Sequence, residues 1–161
     1  MVEEKYTYTF PEGKLIFEPL HIYATVWMGK RPIVGLAYYC KALAPEGYEF
    51  YLENFTITID EMDSEKVNFV GRARRLDCNR KGLYGRVNLE CASEIGRRVA
   101  DLAYDISVRK SGYCWAKTTI KGVLRVVKLV PIGLLGMKEG RLVRDMDITW
   151  EGHVRVEPGL Y

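Results

Sequence analysis

The chain has 161 residues, of which 48% are apolar and 28% are charged, and its formal net charge at pH 7 is +3. This length and composition predict one globular domain over residues 1–161, with enough apolar residues to bury a core. No apolar run approaches the roughly 20 residues that a membrane span needs, and the acidic, aromatic start does not resemble a signal peptide, so we expect a cytoplasmic protein with no membrane partner.

The strands are predicted from apolar and polar residues that alternate with period two through most of the chain. In chain order they cover residues 5–10, 14–18, 20–28, 33–43, 48–61, 67–76, 83–91, 113–130 and 142–156. The apolar phase of the 48–61 strand switches near Glu53 and Asn54. A switch of phase inside one strand predicts a β-bulge there.

One segment, residues 94–106, has the pattern of an amphipathic helix. Ser93 suits the N-cap, and Ile95, Val99, Leu102 and Ile106 recur with the 3.6-residue period. A single helix among about eight or nine strands predicts an α+β fold that is mainly antiparallel, either a sandwich or a partly closed barrel.

The four cysteines are Cys40, Cys78, Cys91 and Cys114, and they contain no CxxC pair. A zinc site normally takes its ligands in close pairs, so we expect neither a metal nor a cofactor. The preferred interpretation is four reduced thiols that pack as small apolar groups. A disulfide remains the alternative for a chain from a hyperthermophile.

The charge is distributed unevenly along the chain. Residues 1–70 contain 6 Lys/Arg and 11 Asp/Glu, whereas residues 71–128 contain 14 and 5. A basic middle third indicates a surface that collects phosphates or other anions. The alternative is that it docks on the acidic first third, within one chain or between two copies of a homo-oligomer.

The densest basic segment is residues 71–86. If Gly71 and Ala73 face the core together with Gly85 and Val87, the simplest hairpin register places Arg74 opposite Arg86 and Arg72 opposite Asn88 on the outer face. Like charges directly opposite each other are unfavourable unless an anion neutralises them. The other interpretation is a solvated basic hairpin.

A second basic stripe follows from the strand at 113–130, whose apolar even positions send Lys117, Lys121 and Arg125 outward. Together the two stripes predict a binding module with a basic outer face for a polyanion, and nucleic acid is the first candidate. The predicted binding residues are Arg72, Arg74, Arg86, Tyr84, Lys117, Lys121 and Arg125.

The second functional hypothesis is a small-ligand barrel, with or without enzymatic activity. His21, Tyr23 and Trp27 share one face of the 20–28 strand, and the expected register places Tyr23 opposite Tyr39 and Trp27 over Gly35. Such a face suits an aromatic-lined cavity. The apolar loop at 130–140 suits a lid or a subunit contact, although a buried connection is the first expectation. No residue pattern identifies a catalytic group.

Overall fold

The computed structural model describes residues 6–26, 30–109 and 113–158. Strands make up 71% of the structure. The elements are β1 (Thr7–Phe10), β2 (Gly13–Thr25), β3 (Ile33–Leu43), β4 (Tyr48–Met62), β5 (Glu65–Leu76), β6 (Leu83–Asn88), α1 (Ser93–Arg109), β7 (Cys114–Ile132) and β8 (Met137–Pro158). No helix in the described ranges is long and apolar enough to cross a membrane.

The period-two alternation has the expected structural result. In β5 the odd-numbered residues from Val67 to Ala73 are buried, and the even-numbered residues between them are exposed. In β4 the backbone of Asn54 has a φ of +54°, and the pairing with β7 shifts at this point. The predicted bulge is therefore confirmed, because one extra residue there keeps the apolar side chains on both sides of it facing the core.

The strands form one sheet in the order β5-β4-β7-β8-β2-β3-β6, with β1 paired to β2. This sheet is mixed, because β2 and β8 run parallel where Ile22 pairs with Val156. It curls into a half-barrel, so the expected α+β fold of strands with one helix is confirmed and the sheet is not purely antiparallel. β5 and the segment that follows β6 come together where Arg72 and Glu90 exchange backbone hydrogen bonds of 2.9 and 2.7 Å.

The predicted helix is confirmed as α1, which begins at Ser93. It packs on the concave side of the sheet against β8, β2, β5 and β3. Its apolar stripe buries Val99, Leu102 and Ile106. The apolar side chains of the sheet pack with those of α1 in one core. This core includes the buried rings of Phe17, Tyr38, Phe55 and Phe69.

The register predicted between β2 and β3 is wrong. Tyr23 pairs with Gly35, and Tyr39 pairs with Glu18. The ring of Tyr23 therefore lies over Gly35 where the sequence predicted Trp27, which is outside the described residues. The reason is that β2 ends early and contains a register shift near its midpoint, so the connection to β3 is longer than the expected turn.

The predicted cross-strand pair of Arg74 and Arg86 is also wrong. β5 forms its ladder with β4, and β6 forms its ladder with β3. Among the described residues, the backbone bridge between β5 and the segment after β6 joins Arg72 to Glu90, whereas the predicted register placed Arg72 opposite Asn88. Alternation determines which face a side chain takes, but it does not determine which strand lies alongside.

Two of the four cysteines form a disulfide, which corrects the expectation of reduced thiols. Cys40 on β3 is bonded to Cys78, with a Cα–Cα distance of 5.1 Å and a sequence separation of 38. Cys91 and Cys114 are not part of a disulfide. The loop that follows β5 passes beside β3, and a contact over that separation leaves no signal in the local sequence.

The connection between β7 and β8 is exposed, so the expectation of a buried loop is wrong. The two strands stay paired until Ile132 lies opposite Met137. Residues 131–143 are all exposed. They extend beyond the pairing of β4 with β7, which stops where Tyr48 lies opposite Lys128.

Candidate anion-binding surface

One cross-strand row on the outer face of the sheet contains only basic and hydroxyl side chains. It runs from Arg72 on β5 through Thr56 on β4 and Lys121 on β7 to Thr149 on β8. Adjacent strands lie about 4.8 Å apart, so the backbones at Arg72 and Lys121 are about 10 Å apart. Both cations are exposed. The row therefore offers two charges and a hydroxyl donor between them to a single ligand.

Arg74 extends this row along β5, on the same outer face as Arg72. The two arginines line a cleft of about 530 Å³ together with Asn54, Thr56 and Glu90. The β4 bulge places the Asn54 side chain at this cleft. The guanidinium, amide and hydroxyl groups supply several hydrogen-bond donors, which suit an anionic oxygen ligand.

The cations of this surface differ in whether they have an ionic partner. In the described ranges Arg72, Arg74 and Lys121 have no carboxylate within 4.0 Å. The neighbouring Arg75 instead lies 3.1 Å from the Glu53 carboxylate. An unpaired cation can neutralise a bound anion without first breaking an ion pair. Arg72, Arg74 and Lys121 are therefore the candidate anion-binding residues.

The predicted member Arg125 is already neutralised. Its Nε donates to Asp145 Oδ1 at 3.1 Å, and its Nη1 lies 3.6 Å from Glu53 Oε2. The hydrogen bond to Asp145 raises the pKa of Arg125 above its usual value. Arg125 therefore belongs to an ion-pair network of the outer face, and its partners could not be identified from the local sequence pattern.

Acidic side chains border the unpaired cations. The predicted member Lys117 lies further along β7, directly opposite Glu61 on β4. On β8, Asp147 and Glu151 flank Thr149. These acids confine the favourable surface for an anion to β5, β4 and the middle of β7.

Trp115 shares the outer face of β7 with Lys117 and Lys121, and 48% of its surface is exposed. Its backbone is fixed by Asp63, since the Trp115 N–H donates to Asp63 Oδ1 and the Asp63 N–H donates to Trp115 O, both at 3.0 Å. Trp115 is absent from the sequence-based candidates, although the alternation that sends the two lysines outward sends it outward too.

Arg31 is a second residue that the sequence did not single out, because it lies in the acidic first third of the chain. It lines a cleft of about 710 Å³ on the other side of the Arg72–Glu90 contact, beside Cys91 and Ile95. Arg72 contributes to both clefts. Arg72 therefore lies between two adjoining clefts.

Two predicted members of the basic face lie elsewhere. Tyr84 and Arg86 are on β6, at the far end of the strand order from β5. The Arg86 guanidinium is 5.1 Å from the Tyr23 ring, and the Tyr84 ring centroid is 4.9 Å from that of Tyr39. These two side chains form a separate aromatic and cationic patch.

The residues of the ligand-cavity hypothesis are on the outer side of β2 and β3. The rings of Tyr23 and Tyr39 lie against glycines of neighbouring segments, and Trp27 is outside the described residues. His21 Nε2 is 3.5 Å from Glu157 Oε2. Burial lowers the pKa of His21, and the Glu157 carboxylate partly opposes that change. Tyr23 and Tyr39 are thus packed on backbone and do not surround an interior space.

Among the described residues, no group of three or more His, Cys, Asp or Glu side chains is arranged to hold a metal ion. A scan against protein-family models found no match for this chain, and neither did a search of curated proteins.

Proposed function

We propose that this protein is a binding module that holds a polyanion, with nucleic acid as the first candidate, on the outer face of β5, β4 and β7. The observation that supports this most directly is the group of three exposed cations, Arg72, Arg74 and Lys121, that have no ionic partner in the described ranges. Unneutralised cations side by side repel one another, and a bound phosphate chain removes that repulsion.

The chemistry of this surface suits phosphate contacts in which the bases are not read. Arginine and hydroxyl groups bind phosphate oxygens, and such contacts position a nucleic acid without reading its sequence. The surface is open and lies along strands, so a flexible chain can follow it. We therefore expect binding that depends weakly on sequence.

Trp115 favours a single strand over a duplex. An exposed indole is a platform on which an unpaired base can stack, and such stacking contributes about 1–3 kcal/mol per base. Lys117 lies between Trp115 and Lys121 on the same face of β7. Lys121 lies six positions after Trp115 on β7, so the two backbone positions are about 20 Å apart along the strand. A short single strand bound along β7 would contact the indole and the cations together.

The test is a set of anisotropy titrations of labelled single-stranded and duplex oligonucleotides at several salt concentrations. Three phosphate contacts predict a log-log slope of affinity against salt between about −2 and −3. R74S/K121S should make that slope shallower by about one and a half to two. Undetectable binding at low salt would contradict the proposal.

The matched control is R75S/R125S, which removes two arginines from the same two strands, β5 and β7. Because both are already neutralised by Glu53 or Asp145, the salt slope should hardly change. Equal effects of the two double variants would mean that only net charge matters, and the proposed surface would be wrong.

W115A should weaken binding of the single strand about 5- to 100-fold and affect the duplex much less.

A further inference from the structure

The paired ends of β7 and β8, residues 129–142, form a projecting hairpin that we call the arm. The last backbone contact between the arm and the body is the Leu129 N–H donating to Gly47 O at 2.8 Å. From there, within the part of the chain that the structure describes, the strands pair only with each other, to Ile132 and Met137. Three further residues of strand carry the tip about 10 Å beyond the body.

The tip of the arm is apolar and exposed. Leu134 is 102% exposed and Leu135 is 88% exposed, and Met137 and Leu142 are each more than half exposed. Contiguous apolar patches of this kind are rare on monomeric proteins and usually mark an interaction surface. The described part of the body leaves these side chains uncovered.

The arm is also preorganised. Its ladder continues without a break from Leu129, opposite Gly140, to the turn. Gly133 and Gly136 have φ values of +70° and +71°, a conformation that glycine adopts without strain, and they close the turn. A partner would therefore not have to order this segment, which removes one of the costs of association.

Charge favours a second copy of this chain as that partner. The arm contains Lys138 and Arg141 and a single acid, Glu139, whose carboxylate lies 3.7 Å from the Arg141 Nε. The body surface at the base of the arm contains the exposed acids Glu46 and Glu49, on either side of the contact through Gly47. If two arms lie antiparallel about a two-fold axis, Lys138 of each copy lies over the exposed Glu46 and Glu49 of the other.

The size of the interface points to the same arrangement. A stable interface takes about 20–30 residues from each partner, whereas one arm supplies only about a dozen. In a two-fold dimer each copy contributes its own arm and the base that receives the other arm, and the contact reaches the usual size. We propose that the arm is the dimerisation element of a two-fold homodimer.

The test is sedimentation equilibrium of the full chain and of L134D/L135D, over about 1–100 µM protein. The parent should be a dimer, and the double variant should dissociate with a dissociation constant raised at least about a hundredfold. The control is Y104D/V108D, which places the same charges at exposed apolar positions of α1 and should remain dimeric. Circular dichroism confirms that each variant is folded, and folding is expected because all four side chains are exposed.

Three results would overturn the inference. One is a parent protein that is monomeric over the whole concentration range. Another is a folded L134D/L135D variant that dimerises as well as the parent. The third is a monomeric parent that sediments with vesicles of anionic and zwitterionic phospholipid, since the arm would then bind a bilayer. Oligonucleotide binding by L134D/L135D should be retained per chain, because the arm contains none of the cations proposed to bind phosphate.

Discussion

Reduction of the disulfide between Cys40 and Cys78 is expected to lower the free energy of unfolding by about 4 kcal/mol. The bond closes a loop with a sequence separation of 38. In the chain-entropy account, a cross-link at that separation removes about 13 cal/mol/K from the unfolded state, which corresponds to about 4 kcal/mol at 25 °C. Most of the effect is therefore expected to come from the unfolded chain.

The native fold should survive reduction, because other contacts hold the loop that follows β5. The Tyr38 hydroxyl donates to Asp77 O at 3.0 Å, and the Ala42 N–H donates to Asn79 O at 2.8 Å. Near-ultraviolet circular dichroism of the reduced protein should consequently resemble that of the oxidised protein. Only the unfolding transition should move.

The assay is urea unfolding with and without a thiol reductant. With a denaturant dependence of about 2 kcal/mol/M, the midpoint should fall by about 2 M. C91S is the control, because it removes a free thiol and keeps the disulfide, so its midpoint should still respond to the reductant. Four reactive thiols in the unreduced, denatured parent would refute the reasoning, and so would a midpoint that reduction leaves unchanged.

Two further substitutions test local features of the fold. The Arg144 guanidinium donates to both carboxylate oxygens of Glu12 at 2.8–3.0 Å, and this hydrogen bonding holds the pKa of Glu12 below its usual value. The pair therefore stabilises the fold above the ordinary glutamate pKa, and this stabilisation is lost as the pH falls through the lowered pKa of the folded state. E12Q should be less stable than the parent at neutral pH and equally stable in acid, as measured by urea unfolding at a series of pH values; a difference that is constant with pH would contradict this. At the left-handed bulge position, N54V should lower the free energy of unfolding by about 1–2 kcal/mol more than N54G does, and equal thermal unfolding of the two variants would show that the bulge conformation is not required.

The local elements of this protein could be predicted from its sequence. Alternation in β5 and the change of phase beside Asn54 identified the strands and the bulge, because side-chain direction along a strand depends only on position in that strand. The 3.6-residue stripe from Ser93 identified α1 for the same reason. The outward direction of Arg72, Arg74 and Lys121 also followed from alternation.

Which strands lie side by side, and in which register, was decided only by the tertiary structure. The same alternation is compatible with many neighbours, so it could not show that Arg74 faces the bulge of β4 and lies far along the strand order from Arg86. It also could not show that Asp145 neutralises Arg125 while Lys121 stays unpaired. Asp145 is on β8, and its position opposite Arg125 on β7 depends on how these two strands pair. The Cys40–Cys78 bond and the exposed arm also depend on where distant segments meet or fail to meet. The sequence thus determined the chemistry that each face of a strand presents, and the folded arrangement decided which of those groups are free to bind a partner.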